Sequence, residues 1–233
     1  ATGSYGPYVY CDQSGRVTPP AGTYGTVTVV TPPPPVLTPH AVISEYASKN
    51  LKADGTVNHD DEFIELHNPT DSAIPLTGWK IEYKSTTSAA FGALAGLSLS
   101  GSIPARGYYL IAQKTNFTGT VTPDATYTTL TSHNGASLRL VDASGAVVDR
   151  LAWGTATTTG IEPEVSPAPL IDNASAGSSL ERKAYSTSTA ATMAAGGAHA
   201  TRGNGTDSNN NANDFVVRPT RQPQNSSSAV EFP

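Results

Sequence analysis

Oxygen-bearing side chains alternate along an Asn-rich loop, residues 207–214. Asp207, Asn209 and Asn211 stand at every second position of this loop. Loops that bind hard cations present carboxylate and amide oxygens in this way, but a typical calcium loop also has a glycine at its sharp turn and a distal glutamate, which are missing here. The alternative is a surface turn held by side-chain bonds to its own backbone. The pattern predicts a candidate calcium site at Asp207, Asn209 and Asn211 and indicates no other cofactor.

The sequence contains no catalytic motif. Five histidines are scattered without the HxxxH spacing of a zinc site, no serine lies in a GxSxG motif, and no glycine-rich phosphate loop ends in Lys-Ser or Lys-Thr. Carboxylates cluster at 60–62 with Glu65 nearby, and a glycosidase needs such a pair across a cleft. Their place before a strand favours a solvated loop instead. We therefore expect no catalytic residues and predict that the chain is not an enzyme.

Composition limits the class of protein. The 233 residues carry 14 Lys and Arg against 19 Asp and Glu, a net charge of −5, and only 14% of the residues are charged. We expect no nucleic-acid partner, because no basic excess is present to neutralise phosphates. No apolar run reaches the roughly 18 residues of a membrane span, so we expect no membrane insertion. Hydrophobic residues make up 37% of the chain, which is enough for a globular core.

The first residues favour secretion. The chain begins with Ala1 followed by small polar residues, which is typical of an end produced by signal peptidase. The alternative is a chain that was trimmed at this position. The single cysteine, Cys11, excludes an intrachain disulfide and is either a free thiol or a link to another chain. We expect an extracellular, cell-surface location.

Alternating hydrophobic residues predict an all-β fold from residue 41 onward. Strands are expected at 41–46, 62–67, 79–84 and 108–112, and 138–142 with 146–153 form a hairpin around a glycine-containing turn. Further segments at 179–183 and 214–218 look like isolated strands. The side chains expected in the core are Ile43, Ile64, Leu66, Trp79, Ile81, Leu110, Leu138, Leu140 and Leu151.

Changes in composition divide the chain into four segments. Residues 1–31 form an N-terminal arm with a strand at 26–31, and residues 32–40 form a proline-rich, extended linker. Residues 41–225 form the sandwich domain, whose last part is an irregular extension, and residues 226–233 form a polar tail. A lone strand is not stable by itself, so the arm must dock on a larger sheet.

The strand pattern from residue 41 resembles the lamin-tail domain family. The runs that carry the resemblance are Ala41-Val42-Ile43-Ser44-Glu45, then 61–71 ending in Asn68-Pro69-Thr70-Asp71, and Leu76-Thr77-Gly78-Trp79. Ser179-Leu180-Glu181-Arg182, residues 207–215 and Pro223-Gln224-Asn225 are similar to the closing part of bacterial members. The resemblance implies an immunoglobulin-like β-sandwich of the kind found in nuclear lamins and in many secreted bacterial proteins. It implies little about function, because a sandwich serves whatever its loops present.

Two functions are compatible with these features. The first is a non-enzymatic secreted cell-surface structural protein, a filament or surface-layer subunit that binds copies of itself by N-terminal strand addition. The anchors of this interface would be Tyr5, Tyr8, Tyr10, Val27 and Val29. The alternative is a monomeric extracellular binding or accessory module, calcium-dependent in one version, which serves adhesion or a partner hydrolase. Its partners would be other cell-surface proteins or polysaccharide.

Overall fold

The computed structural model describes residues 38–171 and 176–232, together with the backbone of two short strands near the N-terminus. Contacts divide the chain into one unit of Ala1–Pro35 and a second of Val36–Pro233, and the boundary falls inside the predicted proline-rich linker. In the first unit, β1 (Cys11–Asp12) and β2 (Gly15–Arg16) pair antiparallel, with Cys11 opposite Arg16. The strand expected at 26–31 lies outside the described residues.

Nearly all regular elements of the second unit are strands. In chain order they are β3 (Val42–Ala47), β4 (Asn50–Leu51), β5 (Val57–Asn58), β6 (Phe63–His67), β7 (Ile74–Pro75), β8 (Lys80–Ser85), β9 (Gly92–Ala93), β10 (Ser102–Ile103), β11 (Tyr108–Gln113), β12 (Ala125–Tyr127), β13 (Ala136–Val141), β14 (Val147–Trp153), β15 (Ser179–Arg182) and β16 (Phe215–Arg218). Two one-turn helices, α1 (Ala190–Met193) and α2 (Asn211–Asp214), lie between β15 and β16.

Two sheets enclose the core. The larger, six-stranded sheet has the order β12-β11-β6-β3-β15-β16, and the smaller, four-stranded sheet has the order β14-β13-β8-β9. The segments 179–183 and 214–218 are therefore not isolated as expected, because β15 and β16 pair with each other and β15 also pairs with β3. The all-β, immunoglobulin-like sandwich predicted from the sequence is confirmed.

The predicted hairpin is formed by β13 and β14, which pair antiparallel from Ala136 opposite Trp153. Its turn contains Gly145 with a φ of 90°, a conformation that glycine adopts without a steric cost. The carboxylate of Asp142 closes the turn by accepting the backbone N–H groups of Ser144 and Ala146 at 2.8 and 3.0 Å.

Most of the predicted core residues lie between the sheets. Ile43, Ile64, Leu66, Ile81, Leu138, Leu140 and Leu151 all belong to one buried cluster. Leu110 is also buried, but it lies in a smaller cluster with Phe63, Ala47 and Ala112. Phe63 alternates with Ile64 along β6, so this second cluster occupies the opposite face of the larger sheet.

The tryptophan that is buried in the core differs from the one predicted from the sequence. Trp79 precedes β8 and is only partly buried at the margin of the core, whereas Trp153 at the end of β14 is 2% exposed. The ring of Trp153 packs on Tyr46 with centroids 4.2 Å apart, and its N–H donates to the carbonyl of Ser132 at 3.0 Å. The prediction for Trp79 is wrong because Gly78 takes a left-handed turn conformation before it, and the strand begins one residue later, at Lys80.

The C-terminal strap, residues 219–232, lies against the outer face of the larger sheet. The backbone N–H of Gln222 donates to the carboxyl of Glu45 at 3.1 Å, and that of Gln224 donates to Glu65 at 2.5 Å. Ser226 donates to Asp124 through its backbone at 2.9 Å, so even the polar tail of the sequence is packed on the domain. Both faces of the larger sheet are therefore covered.

Candidate functional site

A buried arginine holds the Asn-rich loop to the sandwich. Arg182 at the end of β15 has no exposed side-chain surface, and its guanidinium donates to both oxygens of Asp149 at 2.8 and 2.7 Å. Two further donors reach the carbonyls of Ile43 at 2.8 Å and Thr206 at 3.0 Å. The guanidinium also stacks over the ring of Phe215, 4.6 Å from its centroid. This one side chain joins the two sheets and the loop that precedes β16.

Several carboxyl groups lie close to the guanidinium of Arg182. Oxygens of Asp149, Glu164 and Asp207 lie within 4.8 Å of one another, as metal ligands would. The cation at this place in the structure is the guanidinium itself, which is 3.6 Å from Asp207. Burial, and then the charge of Asp149, raise the pKa of Glu164 to about 8. One cation thus stabilises the nearest carboxylates, while Glu164 keeps its proton at neutral pH.

The three residues of the predicted calcium site do not point to one place. Asp207 accepts the backbone N–H of Asn209 at 3.0 Å in a local turn, and Asn209 is exposed with a φ of 56°. Asn211 is fully buried, and its amide oxygen already accepts the backbone N–H groups of Ala152 at 2.9 Å and Glu164 at 3.3 Å. A cation on Asn211 would have to displace both donors. Calcium binding stays a prediction, and the described geometry brings Asp207 and Asn209 together without Asn211.

Asn211 instead completes the edge of the smaller sheet. Its amide accepts from Ala152 and donates to the carbonyl of Arg150 at 2.9 Å, as the peptide group of a neighbouring strand would. The second amide hydrogen reaches Glu164 at 3.0 Å. Because these bonds occupy the outer edge of β14, no further strand can add there without breaking them.

The carboxylates that the sequence placed in a solvated loop are buried. Asp61 and Glu62 have no exposed surface. Asp61 lies 3.1 Å from the guanidinium of Arg221 in the C-terminal strap. Glu62 accepts the N–H of Thr131 at 2.9 Å and the hydroxyl of Tyr127 at 3.1 Å. The expectation of a solvated loop is wrong because segments distant in sequence close over it.

Three glutamates form a row across the outer face of the larger sheet. Glu45 on β3 stands directly opposite Glu65 on β6 and Glu181 on β15, and all three are at most 9% exposed. Burial raises the pKa of each, that of Glu181 to about 8. Arg218 lies 2.8 Å from Glu181. Like charges at opposite positions would repel, so the row depends on retained protons, on Arg218 and on the backbone donors of the strap.

A polar cavity lies where this row meets the C-terminal strap. Its volume is about 370 Å³, within the range of small-molecule sites. It is lined by Glu181, Met193, His199, Ala200, Arg202, Asn204, Gln222, Pro223, Gln224 and Glu231. Sequence reasoning missed it, and the available signal was Glu181, a charged residue in the middle of a short strand.

A chain of hydrogen bonds runs along the wall of the cavity. Asn204 donates to Glu181 at 2.9 Å and to the carbonyl of Arg182 at 2.7 Å. Its oxygen faces the hydroxyl of Tyr108 at 3.0 Å, and the same hydroxyl lies 2.7 Å from Glu231. Burial raises the pKa of Glu231. On another part of the wall, Nδ1 of His199 is 3.0 Å from the hydroxyl of Ser188.

The remaining predicted site residues lie outside the described part of the chain. Tyr5, Tyr8, Tyr10, Val27 and Val29 fall among residues 1–10 and 17–37. Strand addition by these residues stays a prediction. Within the described residues, no helix is long and apolar enough to cross a membrane.

Comparison with known proteins agrees with this architecture. The family model described as Lamin Tail Domain matches residues 37–155, just over half of the chain. A solved DUF4876 family protein from Bacteroides thetaiotaomicron is similar in fold, with a TM-score of 0.55 and 13% identity over 84% of this chain and 75% of that one. No curated protein matches the sequence. On the strength of the family match, the chain belongs to the lamin tail domain family.

Proposed function

We propose that this chain is a non-enzymatic binding module of the cell exterior, which takes a ligand in the cavity beneath the C-terminal strap. The cavity is the observation that carries the proposal, because it is concave, polar and of small-molecule size. The extracellular setting rests on the resemblance to secreted bacterial members of the family. The lamin tail domain family is non-catalytic in general.

The interactions of the buried carboxyl groups support a non-enzymatic function, because donors of the protein itself occupy them. Glu45 and Glu65 accept backbone N–H groups of the strap, Glu62 accepts from Thr131 and Tyr127, and Asp149 is held by Arg182. A catalytic acid or base must reach a substrate proton, whereas these groups are enclosed by the protein's own donors.

The proposal is tested by retention on whole bacterial cells. A panel of Gram-negative and Gram-positive cells is mixed with the purified chain, sedimented and washed, and the retained protein is measured. Ala200→Trp places an indole at a cavity-lining position, and Ala198→Trp places the same group at an exposed position that does not line it. We expect retention of the wild type and of Ala198→Trp, and loss with Ala200→Trp. Failure of the wild type to bind any cell type refutes the proposal.

A second candidate function is self-assembly into a filament or surface layer by strand addition. The backbone N–H of Lys183 donates to the backbone carbonyl of Asp214 at 2.7 Å. Because hydrogen-bonded and non-hydrogen-bonded pairs alternate along an antiparallel ladder, 183/214, 181/216 and 179/218 are the hydrogen-bonded pairs of β15 and β16. The N–H and carbonyl of Val217 therefore point away from β15. They have no partner among the described residues, unlike the edge of β14, which Asn211 occupies.

Self-assembly is tested by sedimentation velocity over a range of concentrations. We expect the full chain to associate and a chain lacking residues 1–31 to be monomeric. Val217→Pro removes the outward N–H and should weaken association, whereas Val217→Thr keeps it and should not. A truncated chain that assembles like the full one, or a full chain that stays monomeric, refutes this function.

A further inference from the structure

Hydrogen bonds within the protein already engage Asn204, Tyr108 and Glu231. Both amide hydrogens of Asn204 are used, toward Glu181 and the carbonyl of Arg182, so its oxygen can only accept. The hydroxyl of Tyr108 lies within donating distance of that oxygen, at 3.0 Å, and of the carboxyl of Glu231, at 2.7 Å. These bonds leave the other polar groups of the lining for a ligand.

The unused groups of the cavity can both donate and accept. Among the described residues, the amide oxygen of Gln224 has no partner, and its nitrogen reaches Glu231 only at 3.5 Å. The side-chain oxygen of Gln222 accepts from Arg218 at 2.5 Å, and its amide nitrogen has no partner in the described part of the chain. Nδ1 of His199 is held by Ser188, which leaves Nε2 available as donor or acceptor.

Other ligand classes fit this wall poorly. An anion would meet the carboxyls of Glu181 and Glu231. A cation would find Glu181 already 2.8 Å from Arg218, with Arg202 on the same lining. A purely apolar ligand would bury amide and imidazole groups without hydrogen bonds, which costs roughly 1–3 kcal/mol for each group.

We propose that the cavity binds a short saccharide, whose hydroxyl groups bond to Gln222, Gln224 and His199. A sugar hydroxyl both donates and accepts, so it satisfies an amide or an imidazole in either orientation. Met193 and Pro223 supply apolar surface for the C–H face of a sugar ring. This inference rests on the proposed function and adds the chemical class of the ligand.

The site is not part of the core shared with the family. Every lining residue lies between 181 and 231, whereas the Lamin Tail Domain match ends at residue 155. The matched region supplies β3, β6, β11 and β12 of the larger sheet, whereas β15, β16 and the segments that line the cavity follow it in the chain. The proposed site is therefore built by the part of the chain that follows the family match.

Calorimetric titration with defined sugars tests the inference. The probes are glucose, galactose, mannose, N-acetylglucosamine and their α- and β-linked disaccharides. Gln224→Leu removes the amide but keeps the backbone N–H that binds Glu65, and Ala198→Trp serves as the matched control. We expect binding of at least one probe, weakened about tenfold or more by Gln224→Leu, abolished by Ala200→Trp and unchanged by Ala198→Trp. Equal thermal midpoints would show that the variants fold.

The possible failures are distinguishable. If a sugar binds and Ala200→Trp leaves its affinity unchanged, the cavity is not the saccharide site and this inference is wrong. If no probe binds while retention on cells still depends on residue 200, the ligand class is wrong and the binding module stands. If the wild type is not retained on cells either, the proposed function itself fails.

Discussion

Replacing Arg182 by methionine should bring the domain close to unfolding. Methionine keeps part of the side-chain volume and its contact with Phe215 but removes the charge. Asp149, which has no exposed side-chain surface, then loses its bidentate partner at 2.7 and 2.8 Å. The carbonyls of Ile43 and Thr206 lose donors as well. The uncompensated buried carboxylate is the main cost.

The magnitude follows from these contacts. Breaking a buried ion pair by removing one partner costs about 3–5 kcal/mol, because the other charge stays buried. Two lost hydrogen bonds add about 1 kcal/mol each, and the new apolar contact of methionine offsets a part. We expect a loss of about 4–6 kcal/mol from a domain whose total stability is of the order of 5–15 kcal/mol.

Lower pH should reduce this loss. Burial raises the pKa of Asp149 and the charge of Arg182 opposes that rise, so the pKa rises further when Arg182 is removed. The folded variant then binds a proton that the unfolded chain releases, and its deficit relative to wild type shrinks as pH falls from about 7 to about 5. Asp149→Asn in the same chain keeps an acceptor for the N–H of Ile43 and should recover about half of the loss at neutral pH.

Urea unfolding at both pH values measures these differences. Arg139→Met is the matched control, because Arg139 also pairs with a carboxylate, Glu82, at 2.6 Å, but its side chain is 29% exposed. An exposed pair contributes under about 1 kcal/mol. If Arg182→Met does not fold, Arg182→Lys provides an intermediate case. Lysine keeps the positive charge but lacks the planar guanidinium that donates to both oxygens of Asp149. A deficit no larger than that of Arg139→Met, or one that does not change with pH, refutes the reasoning.

Three further results are expected from thermal melting. Trp153→Ala should cost about 3–5 kcal/mol and Trp79→Ala less than about 2 kcal/mol, and equal losses would contradict the burial argument. The midpoint should fall as pH rises from about 6.5 to about 8. The folded-state pKa values of Glu164 and Glu181 are raised from 4.5 to about 8, so the stabilisation by their protons shrinks up to that pH. The opposite contribution of His67, whose pKa is lowered from 6.5 to about 4, arises mostly below this window. A rising midpoint would exclude this assignment. Calcium binding at the Asn-rich loop requires a midpoint that rises with calcium and falls with chelator, and identical curves would leave the turn as the explanation.

Local alternation of side chains was enough to predict the sandwich strands and most of the core. Ile64 and Leu66 share one face of β6, and the pleat places both between the sheets whatever the rest of the chain does. The hairpin of β13 and β14 was equally local, since its turn depends on Asp142 and Gly145. These features depend on residues a few positions apart, and the resemblance to the lamin tail family depends on the same strands.

Alternation does not say what covers the second face of a sheet. Glu45 and Glu65 alternate with core residues and should face water by pattern alone, yet the strap covers them through bonds to Gln222 and Gln224, 177 and 159 positions away. The cavity is lined by four residues of that strap together with Glu181, which are at least 41 positions apart in the sequence. Sequence therefore determined which residues share a face, because the pleat repeats every two residues. Only the tertiary structure decided which face is exposed to solvent, which is buried in the core and which lines the cavity, because that depends on where distant segments dock.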